Sequence, residues 1–98
     1  MTVVRNRDSI TIAVTGELDL ATVDQARDAL NGVPPGTPVV LDLSGLTFID
    51  STGLGLIAAA ANQAAGQLTV IPDARTRRLL DLTGMTDQLT LLEPDQTE

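Results

Sequence analysis

The sequence predicts a single α/β domain built on a mixed, largely parallel sheet of four to five strands with about three helices. Three observations carry this. Runs with a period of two alternate along the chain with runs whose apolar residues recur every three or four positions. The transitions are marked by Gly, Pro or clusters of Asp, Ser and Thr. The chain has 98 residues and is 43% hydrophobic, the size of one domain with enough apolar surface for a core.

Taken in order, Thr2 to Arg5 reads as a short strand and Asn6-Arg7-Asp8 as a turn. Ser9 to Thr15 alternates, with Ile10, Ile12 and Val14 on one face and Thr11, Ala13 and Thr15 on the other. That is a half-buried strand, and a hairpin with the first is expected. Gly16-Glu17-Leu18-Asp19 breaks the alternation. Asp19 is placed to cap a helix from Leu20 to about Asn31, with Val23, Ala26, Leu30 and Val33 as its apolar stripe. Gly32 closes it, and Pro34-Pro35-Gly36 is a loop.

Pro38 to Leu43 reads as a strand buried on both faces for most of its length. Ser44-Gly45 loosens it, and a short loop leads to a second helix from Thr52 to about Ala65. Leu54, Ile57, Ala58, Ala61 and Ala65 form its expected inner stripe, and Gly66 ends it. Gln67 to Ile71 is the next strand, stopped by Pro72. Asp73 caps a third helix carrying Leu79, Leu80 and Leu82 and ending near Gly84. Thr86 to Leu92 is expected as a weak last strand. Residues 93–98 read as a polar tail in which Pro94 discourages a further helix. Right-handed crossovers would join the parallel strands.

Composition narrows the function. The formal net charge is −7, and all six basic residues are arginine. Arg75, Arg77 and Arg78 form the one cluster and read as a solvated helix face. A nucleic-acid binder needs a basic stripe, so no direct nucleic-acid partner is expected. The chain has no His and no Cys, which removes imidazole bases, imidazole ligands, thiolates and disulfides. Without Lys there is no phosphate-binding Walker pattern. Asp19, Asp42 and Asp50 are separate positions and suggest no metal cluster. The opening Met-Thr-Val-Val-Arg lacks a signal peptide's apolar run, and Leu54 to Ala65 is too short to span a bilayer. The expectation is a cytoplasmic, non-enzymatic protein with no cofactor, no metal and no membrane span, a monomer or weak dimer.

The most informative stretch is Val39 to Ile57. A strand delivers an acid, two hydroxyls and a glycine to the start of a helix. The first N–H groups of a helix lack internal partners, and its dipole is positive there. A phosphate on a hydroxyl at that position would meet donors and a favourable dipole. Gly53 and Gly55 would keep the surface low, so that another protein could approach. Asp, Ser and Thr are also the commonest N-caps, and the local pattern alone favours a plain cap.

Two motifs change that balance. Val14-Thr15-Gly16-Glu17-Leu18-Asp19 and the run from Val40 to Gly55, including Leu46-Thr47-Phe48-Ile49-Asp50-Ser51-Thr52-Gly53, resemble the STAS family in order and separation. Within it they resemble the anti-sigma factor antagonists. The likeness runs from about Thr2 to Leu92, and it implies a STAS domain over 1–92. It also implies phosphorylation of Ser51 by an anti-sigma factor with a histidine-kinase-like fold acting as a serine kinase. Unphosphorylated antagonist binds that factor and frees a sigma factor; phosphorylation abolishes binding, and a PP2C-type phosphatase restores it. Thr52 is the second hydroxyl in reach. Asp19, Asp50, Ser51, Thr52, Gly53 and Leu54 are the expected partner-binding residues. Asp19 has a capping role, a contact role or both, and Leu54 is either core-facing or semi-exposed at the partner surface.

Many members of that family carry a further helix after the last strand, which is short or missing here. A less covered apolar face, and weak self-association, would follow. Rival readings are a STAS subunit of a lipid-transport ATPase complex or of a stress-signalling assembly, a domain that binds but is never phosphorylated, and a nucleotide-hydrolysing enzyme. The last has the least support from the residues.

Overall fold

A computed structural model describes residues 1–92, and the polar tail of 93–98 lies outside the described residues. The strands are β1 (Thr2–Arg5), β2 (Ile10–Leu18), β3 (Val39–Ile49), β4 (Leu68–Pro72) and β5 (Thr90–Leu91). The helices are α1 (Val23–Asn31), α2 (Ser51–Gln63) and α3 (Ala74–Thr83), with a 3-10 turn at Met85–Gln88. The strands lie side by side in the order β1-β2-β3-β4-β5. β1 runs antiparallel to β2, and the remaining pairs are parallel. This is the mixed sheet that the alternation of elements predicts.

Ile10 pairs with Val39 and Ile12 with Leu41, and Val39 and Leu41 pair in turn with Leu68 and Val70. One face of the sheet is therefore a continuous aliphatic layer. Val23, Ala26 and Leu30 of α1, Leu56, Ile57, Ala60 and Ala61 of α2, and Leu80 of α3 join these residues in one core cluster. All three helices thus pack on the same face, as successive right-handed crossovers along a monotonic strand order require. Thr11, Ala13, Val40, Asp42 and Thr69 on the opposite face are half-buried and outside that cluster. β3 is therefore buried on one face, not on both.

Several boundaries differ from the sequence reading, and each has a cause. β2 does not stop at Thr15 and β3 does not stop at Leu43. They continue together to Leu18 and Ile49 through two irregularities, between Ala13 and Thr15 and between Gly16 and Glu17. At the second, Gly16 pairs with Leu46 and Glu17 with Phe48, so Thr47 is an extra residue in β3. A bulge of this kind breaks the alternation while leaving the strand intact. Gly16, at φ 80°, supplies a conformation that a side chain would strain. α1 begins at Val23 rather than Leu20, because Asp19 closes a separate turn ahead of it. The last strand shrinks to Thr90–Leu91, because Met85–Gln88 coils into the 3-10 turn.

The inner stripe of α2 is rotated from the one expected. Gly53, Leu56, Ile57, Ala60 and Ala61 are buried, whereas Ala58 and Ala65 are exposed. In so Ala-rich a helix, periodicity leaves the phase poorly determined. Gly53 sets it. A Cβ there would come within 2.7 Å of Ile49 Cγ1 and 2.9 Å of the Leu18 carbonyl oxygen. Helix and strand ends meet at a distance only glycine allows. α2 ends at Gln63, ahead of Ala65 and Gly66, which both have positive φ. On α3, Leu80 is fully buried but Leu82 is exposed.

Two expectations follow for stability. Gly53→Ala lowers it by about 1–3 kcal/mol, the usual cost of forcing volume into a packed contact. Gly55, two residues on and on the outer side of the helix with open space around it, gains up to about 1 kcal/mol on substitution by Ala through helix propensity. Urea unfolding midpoints of the two variants should move in opposite directions. Separately, the Thr76 hydroxyl is fully buried and has no hydrogen-bond partner among the described residues. Thr76→Val should raise stability by about 1 kcal/mol, since it removes an unsatisfied polar atom at nearly constant volume; a lower midpoint would contradict this.

Candidate functional site

The strand ends of β2 and β3 stand side by side, with Leu18 paired to Ile49. The next residues, Asp19 and Asp50, therefore emerge together at the carboxyl end of the sheet, where ligand and partner sites of parallel sheets gather. The Asp50 N–H donates to the Leu18 carbonyl at 3.3 Å, which ties the two strand ends together. No loop separates β3 from α2. Asp50 alone makes the connection, extended at φ −118° and ψ −172°, and α2 starts at Ser51.

Asp50 is the N-cap of α2. Its Oδ1 accepts from the Thr52 N–H at 2.9 Å and the Gly53 N–H at 3.3 Å. Its carbonyl accepts from the Leu54 N–H at 3.1 Å. A helix start presents four unpaired N–H groups. The Asp50 side chain satisfies those of Thr52 and Gly53, the Leu18 carbonyl takes that of Asp50 itself, and the one on Ser51 is left. Of the helix-terminal donors that a phosphate could meet, the cap and Leu18 occupy all but the Ser51 N–H.

Ser51 is the first residue of α2 and is exposed, and its hydroxyl makes no hydrogen bond to any described residue. Thr52 is half-buried. Gly53 is buried against Ile49 and Leu18, so its role is inward seating of the helix and not a lowered outer surface; the low outer position is Gly55. Leu54 is half-buried and packs against the core cluster.

Asp19 holds a turn of its own. Its Oδ1 accepts from the Ala21 N–H at 3.0 Å and the Thr22 N–H at 3.2 Å. Its N–H donates to Thr22 Oγ1 at 3.0 Å, and that hydroxyl donates to the Glu17 carbonyl at 2.8 Å. The N-cap position of α1 belongs to Thr22, which makes no side-chain cap bond. Asp19 therefore caps the turn before the helix and not the helix itself.

The structure brings Asp19, Asp50, Ser51, Thr52, Gly53 and Leu54 to one end of the sheet. It adds residues that the sequence reading passed over. Leu20 is 77% exposed and Phe48, the only aromatic residue of the chain, is 41% exposed. Both are apolar and lie outside the apolar stripes read from the sequence; their exposure follows from the turn at Asp19 and the bulge at Thr47. Arg75 is not simply solvated, since its Nη1 reaches the Thr47 carbonyl at 3.5 Å. Among the described residues no group of three or more His, Cys, Asp or Glu could hold a metal ion. No helix among them is long and apolar enough to cross a membrane.

The family model described as "Mlab, STAS domain" matches residues 1–93. The chain belongs to the STAS family. Among curated proteins this STAS chain is 34% identical to an anti-sigma-B factor antagonist of Listeria monocytogenes, over 85% of this chain and 78% of the relative. It is 35% identical to an anti-sigma-B factor antagonist of Staphylococcus epidermidis, over 93% of this chain and 90% of that one. Among solved structures, an anti-sigma factor antagonist from Mycobacterium paratuberculosis has a TM-score of 0.82 at 28% identity, covering 95% of this chain and 83% of that chain. The anti-sigma factor antagonist SpoIIAA, at 20% identity, shares the fold with a TM-score of 0.70 unphosphorylated, covering 94% of this chain and 86% of that one. The phosphorylated form of the Bacillus protein gives 0.68, covering 96% and 92%.

The cap predicts a measurable asymmetry. Asp50→Ala removes the shared acceptor of two N–H groups and should cost about 1–2 kcal/mol, while Asp50→Asn, which keeps an acceptor oxygen, should cost less. Equal losses in thermal unfolding would show that the carboxylate does not act as the cap.

Proposed function

We propose that the protein is an anti-sigma factor antagonist, a cytoplasmic binding module and not an enzyme, whose STAS domain spans 1–92. Unphosphorylated, it binds an anti-sigma factor with serine kinase activity and so releases a sigma factor. Phosphorylation of Ser51 by that partner ends the binding, and a PP2C-type phosphatase restores it. Asp19, Asp50, Ser51, Thr52, Gly53 and Leu54 form the binding end of a monomer or weak dimer.

The observation that carries this reading is the state of the Ser51 hydroxyl. It is exposed and unbonded at the first position of a helix whose neighbouring donors Asp50 has already taken. Phosphate brings about −1.5 to −2 charges at pH 7. With three of the four helix-terminal donors engaged, that charge stays on the surface beside the Asp50 carboxylate. A partner surface fitted to a neutral hydroxyl then meets a dianion, and about 1.4 kcal/mol of mismatch is already tenfold in affinity. Thr52, half-buried and one position further in, is the weaker acceptor of phosphate. The switch needs no refolding.

The test incubates the purified protein with ATP and each anti-sigma kinase of the same cell, then maps phosphate by mass spectrometry in wild type and Ser51→Ala. Phosphate is expected on Ser51 and absent from the variant, and Ser51→Asp should bind the kinase at least about tenfold more weakly than wild type. No phosphate on either protein, with Ser51→Asp binding like wild type, sinks the proposal.

A further inference from the structure

We propose that Leu20 is the apolar anchor by which the partner grips this end of the sheet, and that the Asp19 turn exists to hold it out. This rests on the reading of the protein as an anti-sigma factor antagonist and assigns the residue from which that binding draws its affinity. The occupant is the anti-sigma factor, through an apolar recess bordered by cationic groups.

An exposed leucine is by itself ordinary on a protein surface. Leu20 differs in three ways. It is the most exposed of the large apolar side chains among the described residues, at 77%. Its backbone is also locked. Ala21 and Thr22 donate to Asp19 Oδ1 from the far side of the turn, and the Thr22 hydroxyl closes it onto the Glu17 carbonyl. The Thr22 and Val23 N–H groups both return to the Asp19 carbonyl, at 3.1 and 2.8 Å. An apolar group presented on an already rigid backbone loses little further freedom on binding, so more of its burial appears as affinity. Its place is the third difference. Leu20 follows Asp19, which stands beside Asp50, so the anchor adjoins the Ser51 surface.

The same place defines the partner's chemistry. Glu17 and Asp19 flank the anchor in the chain and Asp50 follows the paired strand, all acidic on a chain of net charge −7, while Arg75 is held further along on the Thr47 carbonyl. A recess that takes Leu20 must face these carboxylates, and cationic or N–H-rich margins suit that position. Anchor and switch are then separate devices. Leu20 is presented in either state, and Ser51 decides whether the surfaces can close on it. Asp19 is a positioning residue, acting through Leu20.

Leu82 provides a matched control. It is 76% exposed, yet it lies in the last turn of α3, at the opposite end of the molecule from the strand carboxyl ends. Affinity for each purified anti-sigma factor of the same cell is measured by calorimetry for unphosphorylated wild type, Leu20→Ala, Leu82→Ala, Asp19→Ala and Asp19→Asn. Thermal unfolding of each verifies that it is folded. Leu20→Ala is expected to weaken binding at least about tenfold, with Leu82→Ala within about twofold of wild type. Asp19→Ala should fall with Leu20→Ala, and Asp19→Asn, which keeps the acceptor oxygen, should recover most of the loss. Wild-type binding with Leu20→Ala unchanged, or with Leu82→Ala equally impaired, overturns the anchor alone. Wild type that binds none of these factors overturns the reading on which the anchor rests, and the anchor with it.

Discussion

The close seating of α2 on the ends of β2 and β3 is the constraint on which the rest of this structure depends. Asp50 joins the two strands by donating to the Leu18 carbonyl, and it caps the helix with its own carboxylate and carbonyl. Gly53 lets the first helical turn settle against Ile49 and Leu18. Once that turn is placed, the orientation of α2 follows. Leu56, Ile57, Ala60 and Ala61 face the sheet, and Ser51 and Gly55 face solvent. The exposure of the candidate switch is thus a consequence of how the helix is locked down, and its precision derives from groups that are themselves buried or bonded.

The aliphatic character of the core fits this arrangement. With one aromatic residue in the chain, and that one partly exposed, the space between helices and sheet is filled by Leu, Val, Ile and Ala. Small residues on α2 allow a close helix–sheet distance, and branched residues on the strands fill the layer beneath them. Burial on this scale needs apolar area and not rings. The surface at the carboxyl end of the strands carries what the core does not use. Leu20 and Phe48 stand out from it because a rigid turn and a bulge redirect them.

Two carboxylates with similar sequence surroundings perform related tasks. Asp19 and Asp50 both follow a strand, and both accept N–H groups two and three residues ahead. At Asp50 the chain goes straight into a helix, because the residue at N3 is a glycine that packs inward. After Asp19 the chain makes a closed turn first and becomes helical only at Val23. The Thr22 hydroxyl, bonded to both Glu17 and Asp19, stabilises that detour. A short-range pattern of acid and hydroxyl is common to the two places, and the neighbours of the chain in space decide what it becomes.

The sequence by itself determined the class of the fold and the order of its elements, and it singled out the candidate site residues. Ile10, Ile12 and Val14 alternate, Val23, Ala26 and Leu30 form a stripe, Asp73 caps and Gly84 terminates; these are local properties with local causes. The long motif around Asp50-Ser51 was legible through its resemblance to the STAS family, since acid and hydroxyls at a helix start read locally as a plain cap. Tertiary structure decided the length of β2 and β3, the rotation of α2, the exposure of Leu20 and Phe48 and the inward role of Gly53. Each depends on contacts between segments far apart in the chain. Bulged parallel pairing carries strands past residues that break alternation, and the phase of an Ala-rich helix is set by what it touches. A carboxylate that can cap its own helix does so only when the adjacent strand fixes the approach of the chain.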